Sequence, residues 1–505
     1  MKNQNIDSRA VTLGLVVVAG LLAALVLGRA VGNQNYMHIF AVCGFIFGVL
    51  LFFTLGDRYW YLIPFALSTG LPAIPLGGRT IELGELATAS CAAFFLTRVA
   101  LKKDHVLIFR ASHIPILLFM AWAAAVFIRY PSGMLLFGAE TAGARFYLKL
   151  VLAFFAFLII ASREISEKDA RNLALMLLAG VAIRTLYGIY SYKFHGGGPA
   201  VDAQGLQQEE FYTWHQILSV PAYTIAFLLF ARFRPSDIFG FRRPLAFVVY
   251  LLSLLMVLLS GKRMALIFTL AAPAFSAIAF NQKKYIWVGS ILSAVFLSVM
   301  VLGQGNLFNL PLTVQRTISW LPGSWDVELV GAGSTDVFRD TLRRFAIKNI
   351  QENPVLGKGF TVDIAETSSA ITAALYRGGD DIQVAAFALG HAWHNTWLGY
   401  AADFGIPMSI IQAILMITVI GCSFRSIRLL PKHSFKQMIV TYVFIYVCCD
   451  VLASWTSGHT ALDAFGRWWM YGMVFSIYAT VTAKAKSAPP TINSMSAQAH
   501  KQAIS

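Results

Sequence analysis

Apolar runs long enough to cross a bilayer follow one another through most of the chain. Val11–Leu27, Tyr36–Leu55 and Tyr285–Leu302 each reach the length that a helix needs to cross roughly 30 Å of hydrocarbon. Inside hydrocarbon the backbone must satisfy its own hydrogen bonds, so such runs predict helices. Spans are predicted near 11–28, 36–55, 59–76, 82–98, 113–129, 146–162, 172–190, 214–231, 245–261, 264–281, 285–303, 404–422, 437–454 and 468–483. Pro64, Gly70, Pro72 and Pro75 interrupt the third of these, which predicts a broken or re-entrant segment. The pattern describes an all-α polytopic membrane protein of about 12–14 transmembrane helices. One large, mainly helical loop is expected between residues 303 and 392.

Composition agrees with this pattern. The 505 residues are 57% hydrophobic and 13% charged, against about 25% charged in soluble domains, and the mean hydropathy is +0.65. No internal repeat of the transporter kind is visible. Lys and Arg then orient the chain. Arg98, Lys102, Lys103 and Arg110 form one cluster; Arg232, Arg234, Arg242 and Arg243 form another; Lys283 with Lys284, then Arg425, Arg428, Lys432 and Lys436, complete the series. All lie on alternate connections, so the positive-inside rule predicts cytoplasmic termini and an external 303–392 segment. The net charge of +15 is therefore a topology signal, and there is no basic, aromatic-rich soluble domain for nucleic acid. The first apolar run lacks a small-residue cleavage site and is expected to be a retained span. The five cysteines all fall in or at the ends of spans, which leaves no disulfide framework for the loop. Residues 485–505 read as a disordered cytoplasmic tail.

Chemistry is expected where polar sequence meets the outer face. In the loop, residues 335–351 read as a helix with N-caps at Ser334, Thr335 and Asp336 and a stop at Asn353-Pro354. Arg339 and Arg343 stand one turn apart on it, beside a basic strip of Arg344 and Lys348. The bland reading of that pair is a solvated helix face. Ser260-Gly261-Lys262-Arg263 is either a hairpin turn with snorkelling cations or an anion site. The densest cluster is His391-Ala-Trp393-His394-Asn395-Thr-Trp397, which continues to Gly405. Histidine titrates nearest neutrality and suits acid–base work. Against catalysis stand an interfacial structural role and a weak metal site without companion ligands. Trp393 and Trp397 fit an aromatic belt better than a sugar platform. Arg184 and Asp450 are intramembrane charges, open to transport or to a structural ion pair.

The run Arg339-x3-Arg343, Asn353-Pro354-Val-Leu-Gly357-x-Gly359, then His394-Asn395 and nine residues before Gly405 resembles the O-antigen ligase and O-antigen polymerase superfamily. Ser260-Gly-Lys-Arg263 approximates that family's Ser-x-Arg-like turn, and the detailed similarity covers about residues 245–425. The chain departs from the pattern at Met408, where a small or hydroxyl residue is usual, and at Arg343, where a bulky aromatic is common. The resemblance divides the chain into N-terminal helices 1–244, a ligase-like core 245–425 containing the loop 303–392, C-terminal helices 426–484 and the tail 485–505. It implies a glycosyltransferase of the bacterial inner membrane, acting in polysaccharide or lipopolysaccharide biosynthesis of the cell envelope at the periplasmic face. The implied donor is a glycan on undecaprenyl pyrophosphate, and the acceptor is lipid A-core or another glycan. Membrane lipids surround it; no metal, other cofactor or nucleic acid is expected. By the same resemblance His394 is the base and Asn395 orients it or the acceptor. Arg263, Arg339 or Arg343, and Lys262 bind pyrophosphate. Polymerase and protein O-oligosaccharyltransferase activities share these carriers. The alternative of another class is a polysaccharide transporter or flippase.

Overall fold

The computed structural model describes residues 52, 54–71, 74–76, 79–104, 109–131, 143–194, 217–326, 334–360, 391, 393, 395–455 and 460–487. The expected span at 11–28, nearly all of that at 36–55, the connection 195–215 and residues 488–505 of the expected tail lie outside this set, as does His394. A 3-10 turn, Gly56–Tyr61, leads into α1 (Leu62–Thr69), which ends at Gly70 with φ of +51°. A two-stranded antiparallel hairpin follows, β1 (Ile74–Leu76) against β2 (Arg79–Ile81), pairing Pro75 with Thr80. The 59–76 segment is thus broken where glycine and proline stop a helix, as its sequence predicts.

The remaining elements are helical. They are α2 (Leu83–Ala100), α3 (Ile114–Arg129), α4 (Ala144–Ala161), α5 (Glu167–Phe194), α6 (Ser219–Arg232), α7 (Pro235–Phe239), α8 (Pro244–Leu259), α9 (Arg263–Ala279) and α10 (Lys283–Gly303). After the short α11 (Leu312–Ile318) come α12 (Ser334–Glu352), α13 (Thr396–Phe404), α14 (Ile406–Leu429), α15 (Phe435–Ala453) and α16 (Thr460–Ser487). Among the described residues, seven helices are long and apolar enough to cross a membrane: α2, α3 with its preceding turn, α4, α5, α10, α14 and α15. Three shorter apolar helices, α6, α8 and α9, join them. This is an all-α polytopic membrane protein. Helix α4 packs along α16, and both sit at its centre with α15.

Hydrogen bonds between distant segments sort the helix ends into two groups. At one end Arg232 Nη1 donates to the carbonyl of His433 at 2.6 Å, Gln282 bonds Ser236, and the amide of Phe435 donates to Glu167. At the other end the amide of Gly143 donates to the carbonyl of Phe360 at 3.1 Å, Trp122 Nε1 to that of Phe404 at 2.8 Å, and Tyr130 to Asn353 at 3.1 Å. The clusters 232–243, 283–284 and 425–436 share the first end, so the basic connections gather on one side. Helix α14, at 24 residues, is about 36 Å long and joins the two ends.

A buried carboxylate ties together the basic end. Asp104 accepts from Arg98 Nε at 2.9 Å and from Arg163 Nη1 at 2.9 Å, and Tyr59 accepts from Arg163 Nη2 at 2.9 Å. Burial alone pushes the Asp104 carboxyl up, but hydrogen bonds from Arg163 and Arg98 outweigh it and hold the group below its ordinary value. A depressed carboxylate stabilises the fold above its unfolded pKa, and that contribution is lost as pH falls through the folded value. Asp104→Asn is expected to cost about 1–3 kcal/mol near neutrality. In detergent melts the gap between variant and wild type should narrow below about pH 4. A gap independent of pH would contradict the assignment.

Candidate functional site

The nine residues between Asn395 and Gly405 are a single helix, α13, and its two ends explain both flanking residues. Asn395 is the N-cap: it is extended (φ −154°), and its Oδ1 accepts from the amide of Leu398 at 3.0 Å. Such a cap satisfies one of the orphan donors of the first turn. Its Nδ2 donates to the carbonyl of Trp455 at 3.2 Å, and the amide of Thr396 donates to the carbonyl of Ser454 at 2.8 Å. The start of α13 is therefore tied to the end of α15. Both ends of the Asn395 carboxamide are occupied in this way.

Gly405 closes the helix with φ of +83°, a conformation that side-chain-bearing residues avoid. A Cβ there would lie 1.8 Å from the carbonyl oxygen of Val355. Opposite it, the turn after α12 presents Gly357 at φ +65°, where a Cβ would lie 2.4 Å from the Asp403 carbonyl carbon. Backbone bonds join the two segments: Lys358 N to Ala402 O at 3.1 Å, Gly359 N to Asp403 O at 2.7 Å, and Ile406 N to Pro354 O at 2.8 Å. The Pro-x-x-Gly-x-Gly turn and the distant glycine thus form one contact, main chain against main chain. Helix α12 packs on α13 through Ala346, Ile350, Trp393, Leu398 and Ala402.

Beneath this contact lies a buried carboxylate. Asp403, 1% exposed, meets His391 Nδ1 at 2.8 Å and accepts from Trp393 Nε1 at 3.0 Å. The rings of Phe146 and Phe360 stand edge-on to His391, which has φ of +53°. Trp393 is 3% exposed, so it is a buried anchor and not part of an aromatic belt: its indole N–H has an internal carboxylate to reach. Residues 391, 393 and 395 are each fixed by a side-chain hydrogen bond, and His394 stands in sequence between two of them. One turn below Ser454, whose amide bonds the Asp450 carbonyl at 2.8 Å, Asp450 pairs with Arg467 at 2.6 Å. The intramembrane Asp450 is therefore one half of an ion pair with Arg467, while the Arg184 guanidinium lies against Gly70, at the end of α1.

The expected cationic residues fall in two groups. Helix α12 runs from Ser334 to Glu352, as its caps predict, and carries Arg343 exposed. Arg344 pairs with Asp340 at 2.6 Å. The Arg339 side chain is outside the described set. Lys358 bonds Glu352 at 2.7 Å, and that hydrogen bond and charge hold the Glu352 carboxyl below its ordinary value. The second group is the Ser260–Arg263 turn. Ser260 Oγ accepts from the Lys262 amide at 3.3 Å, and Lys262 is the N-cap of α9. Arg263 donates to Ser319 Oγ at 3.0 Å and to the carbonyl of Arg316 at 3.3 Å, which docks α11 over the turn. Sequence reasoning passed over Asp403 and Arg467. Each is a charge in an apolar neighbourhood, which is itself a signal.

The family model for O-antigen ligases matches residues 248–413, a stretch that holds the Ser260–Arg263 turn, α12 and α13. The match supports the O-antigen ligase and polymerase superfamily for this chain. No curated protein matches it.

Gly405→Ala is expected to disrupt the corner, since neither φ nor the Val355 carbonyl tolerates a methyl group. A loss of several kcal/mol should appear as a lower melting temperature in detergent. Gly421→Ala, with nothing within 4 Å of its added Cβ, should be neutral or slightly stabilising. Asn395→Ala should cost about 1 kcal/mol through the lost cap, and Asn395→Ser much less. Equal costs for Ala and Ser would remove the capping assignment.

Proposed function

We propose that this chain, with its O-antigen ligase domain at residues 248–413, transfers a glycan from undecaprenyl pyrophosphate to an acceptor hydroxyl at the periplasmic face of the bacterial inner membrane. Family and fold establish the coarser statement: a multi-span membrane protein with a ligase-type domain that implies glycosyl transfer from a lipid-linked donor to a glycan acceptor. The finer reading rests on one observation above the others. The elements of the motif close on each other through backbone contacts, and the two residues that flank His394 in sequence are a buried, hydrogen-bonded tryptophan and a helix cap.

In this reading His394 takes the proton of the acceptor hydroxyl, and the oxygen attacks the anomeric carbon. The bond from that carbon to the pyrophosphate oxygen breaks with its electron pair, and the configuration inverts. Arg263, with Arg339 or Arg343 and with Lys262, binds the leaving pyrophosphate. Guanidinium suits this because it stays charged and meets phosphate oxygens in pairs. Asn395 supports the base by capping α13. The acceptor is lipid A-core or another glycan, and no metal takes part. The Asp450–Arg467 pair supports the enzyme reading over transport, because it gives the intramembrane carboxylate a structural partner.

Purified protein in nanodiscs with an undecaprenyl-pyrophosphate glycan and lipid A-core is expected to form a new, inverted glycosidic bond, unaffected by chelators. His394→Ala should lower the rate about 10²–10⁴-fold and Arg263→Ala about 10²–10³-fold. Comparing Arg339→Ala with Arg343→Ala identifies the second arginine. Wild-type transfer by His394→Ala would remove the base assignment. Glycan movement across the membrane without bond formation would replace the enzyme reading with transport.

A further inference from the structure

At the basic end, far from α13, a cavity of about 340 Å³ opens between the start of α10 and the end of α14. Its walls include Ile286, Trp287 and Phe424, and its polar rim is Asn281, Lys283 and Arg428. Arg428 stacks on Phe424 with its guanidinium carbon 4.0 Å from the ring centroid. Among the described residues neither Lys283 nor Arg428 makes an ion pair. The rim is held in place. Asn281 turns the chain at φ +56°, the Gln282 amide bonds the Ala277 carbonyl at 2.7 Å, and the Gln282 side chain bonds Ser236 at 2.8 Å. Lys283 is the first residue of a 21-residue helix, whose N-terminal dipole also favours an anion.

What surrounds the cavity selects the kind of anion. The face of α10 that continues from it bears Trp287, Ile291, Val295, Val299 and Leu302, all more than half exposed. Along α14 the exposed row Ile406, Ile410, Ile414 and Ile417 runs up from the same side of the bundle. Helix α10 packs chiefly on α9 and is 6% buried over its apolar window. An anion that sits on Lys283 and Arg428 therefore has lengthwise apolar surface directly above it. A free phosphate uses the cations and leaves that surface idle; a phospholipid uses both.

We propose that this cleft is a binding site for an anionic phospholipid of the leaflet at the basic end. Its phosphate lies between Lys283, Arg428 and the N-terminus of α10, and its acyl chains lie along α10 and α14. Trp287, in the cavity wall one turn from Lys283, marks headgroup depth. The site is separate from the glycan-transfer residues, so it stands or falls independently of them.

The test is tryptophan quenching in full-length protein reconstituted in phosphatidylcholine bilayers doped with brominated lipid. Subtracting the Trp287→Phe signal isolates the one reporter. Brominated phosphatidylglycerol is expected to quench Trp287 at lower mole fraction than brominated phosphatidylcholine. About five-fold of that preference should be lost per cation removed in Lys283→Gln, Arg428→Gln and the double variant. Glycan transfer should be unchanged in these variants, which also reports their folding. Equal quenching by the two headgroups would overturn the site, as would a preference that survives in the double variant. Abolition of the preference by millimolar inorganic phosphate would overturn the lipid assignment in favour of a soluble anion.

Discussion

The contact between Gly405 and the carbonyl of Val355 fixes one corner of this protein. Two stretches of main chain, separated by the whole 360–390 region, approach more closely than any side chain permits. Three backbone hydrogen bonds then lock them in register. Everything that gives the site its shape hangs from this corner. Helix α12 ends there, α13 ends there and α14 begins there. The spacing of nine residues between Asn395 and Gly405 is thus a helix length, set by where a cap and a left-handed stop must fall to close it.

The second constraint is the cost of charge in an apolar surround. Arg145 forms a bidentate contact with Glu85 at 2.9 and 3.1 Å, and Lys149 reaches Glu82 at 2.7 Å. Arg467 meets Asp450, and Arg163 with Arg98 meets Asp104. Breaking one member of such a buried pair is far more costly than the pair itself is worth. Asp403 follows the same logic with the Trp393 indole and the His391 imidazole as its partners. Its reward is positional: the segment from 391 to 395 is held to α13 and α15 at alternate residues. Arg343, by contrast, stays exposed on α12, where a cation remains available to an incoming anion.

Much of this was legible in the sequence because it is local. Span positions follow from run length, and α12 matched its predicted 335–351 to within a residue at either end because Ser334 and Asn353-Pro354 are strong local signals. Gly70 and the nearby prolines announced the broken segment for the same reason. The partnerships were not legible. Asp403 with Trp393, Asn395 with Trp455, and Asp450 with Arg467 join residues that no periodicity connects. Trp393 read as a belt residue because an interfacial tryptophan usually is one, and only its buried carboxylate partner says otherwise. The two cationic groups, around Arg263 and on α12, were expected to act on one substrate. The structure gives each its own support, Arg263 through α11 and Arg343 through α12.

A structure of the protein in nanodiscs with a non-transferable undecaprenyl-pyrophosphate glycan would test the central claim most directly. The account predicts pyrophosphate oxygens within about 3 Å of Arg263 and of an α12 arginine. It also predicts the His394 imidazole on the face of the anomeric carbon opposite the leaving oxygen. A pyrophosphate held elsewhere, or a His394 ring on the same face as the leaving group, would contradict it.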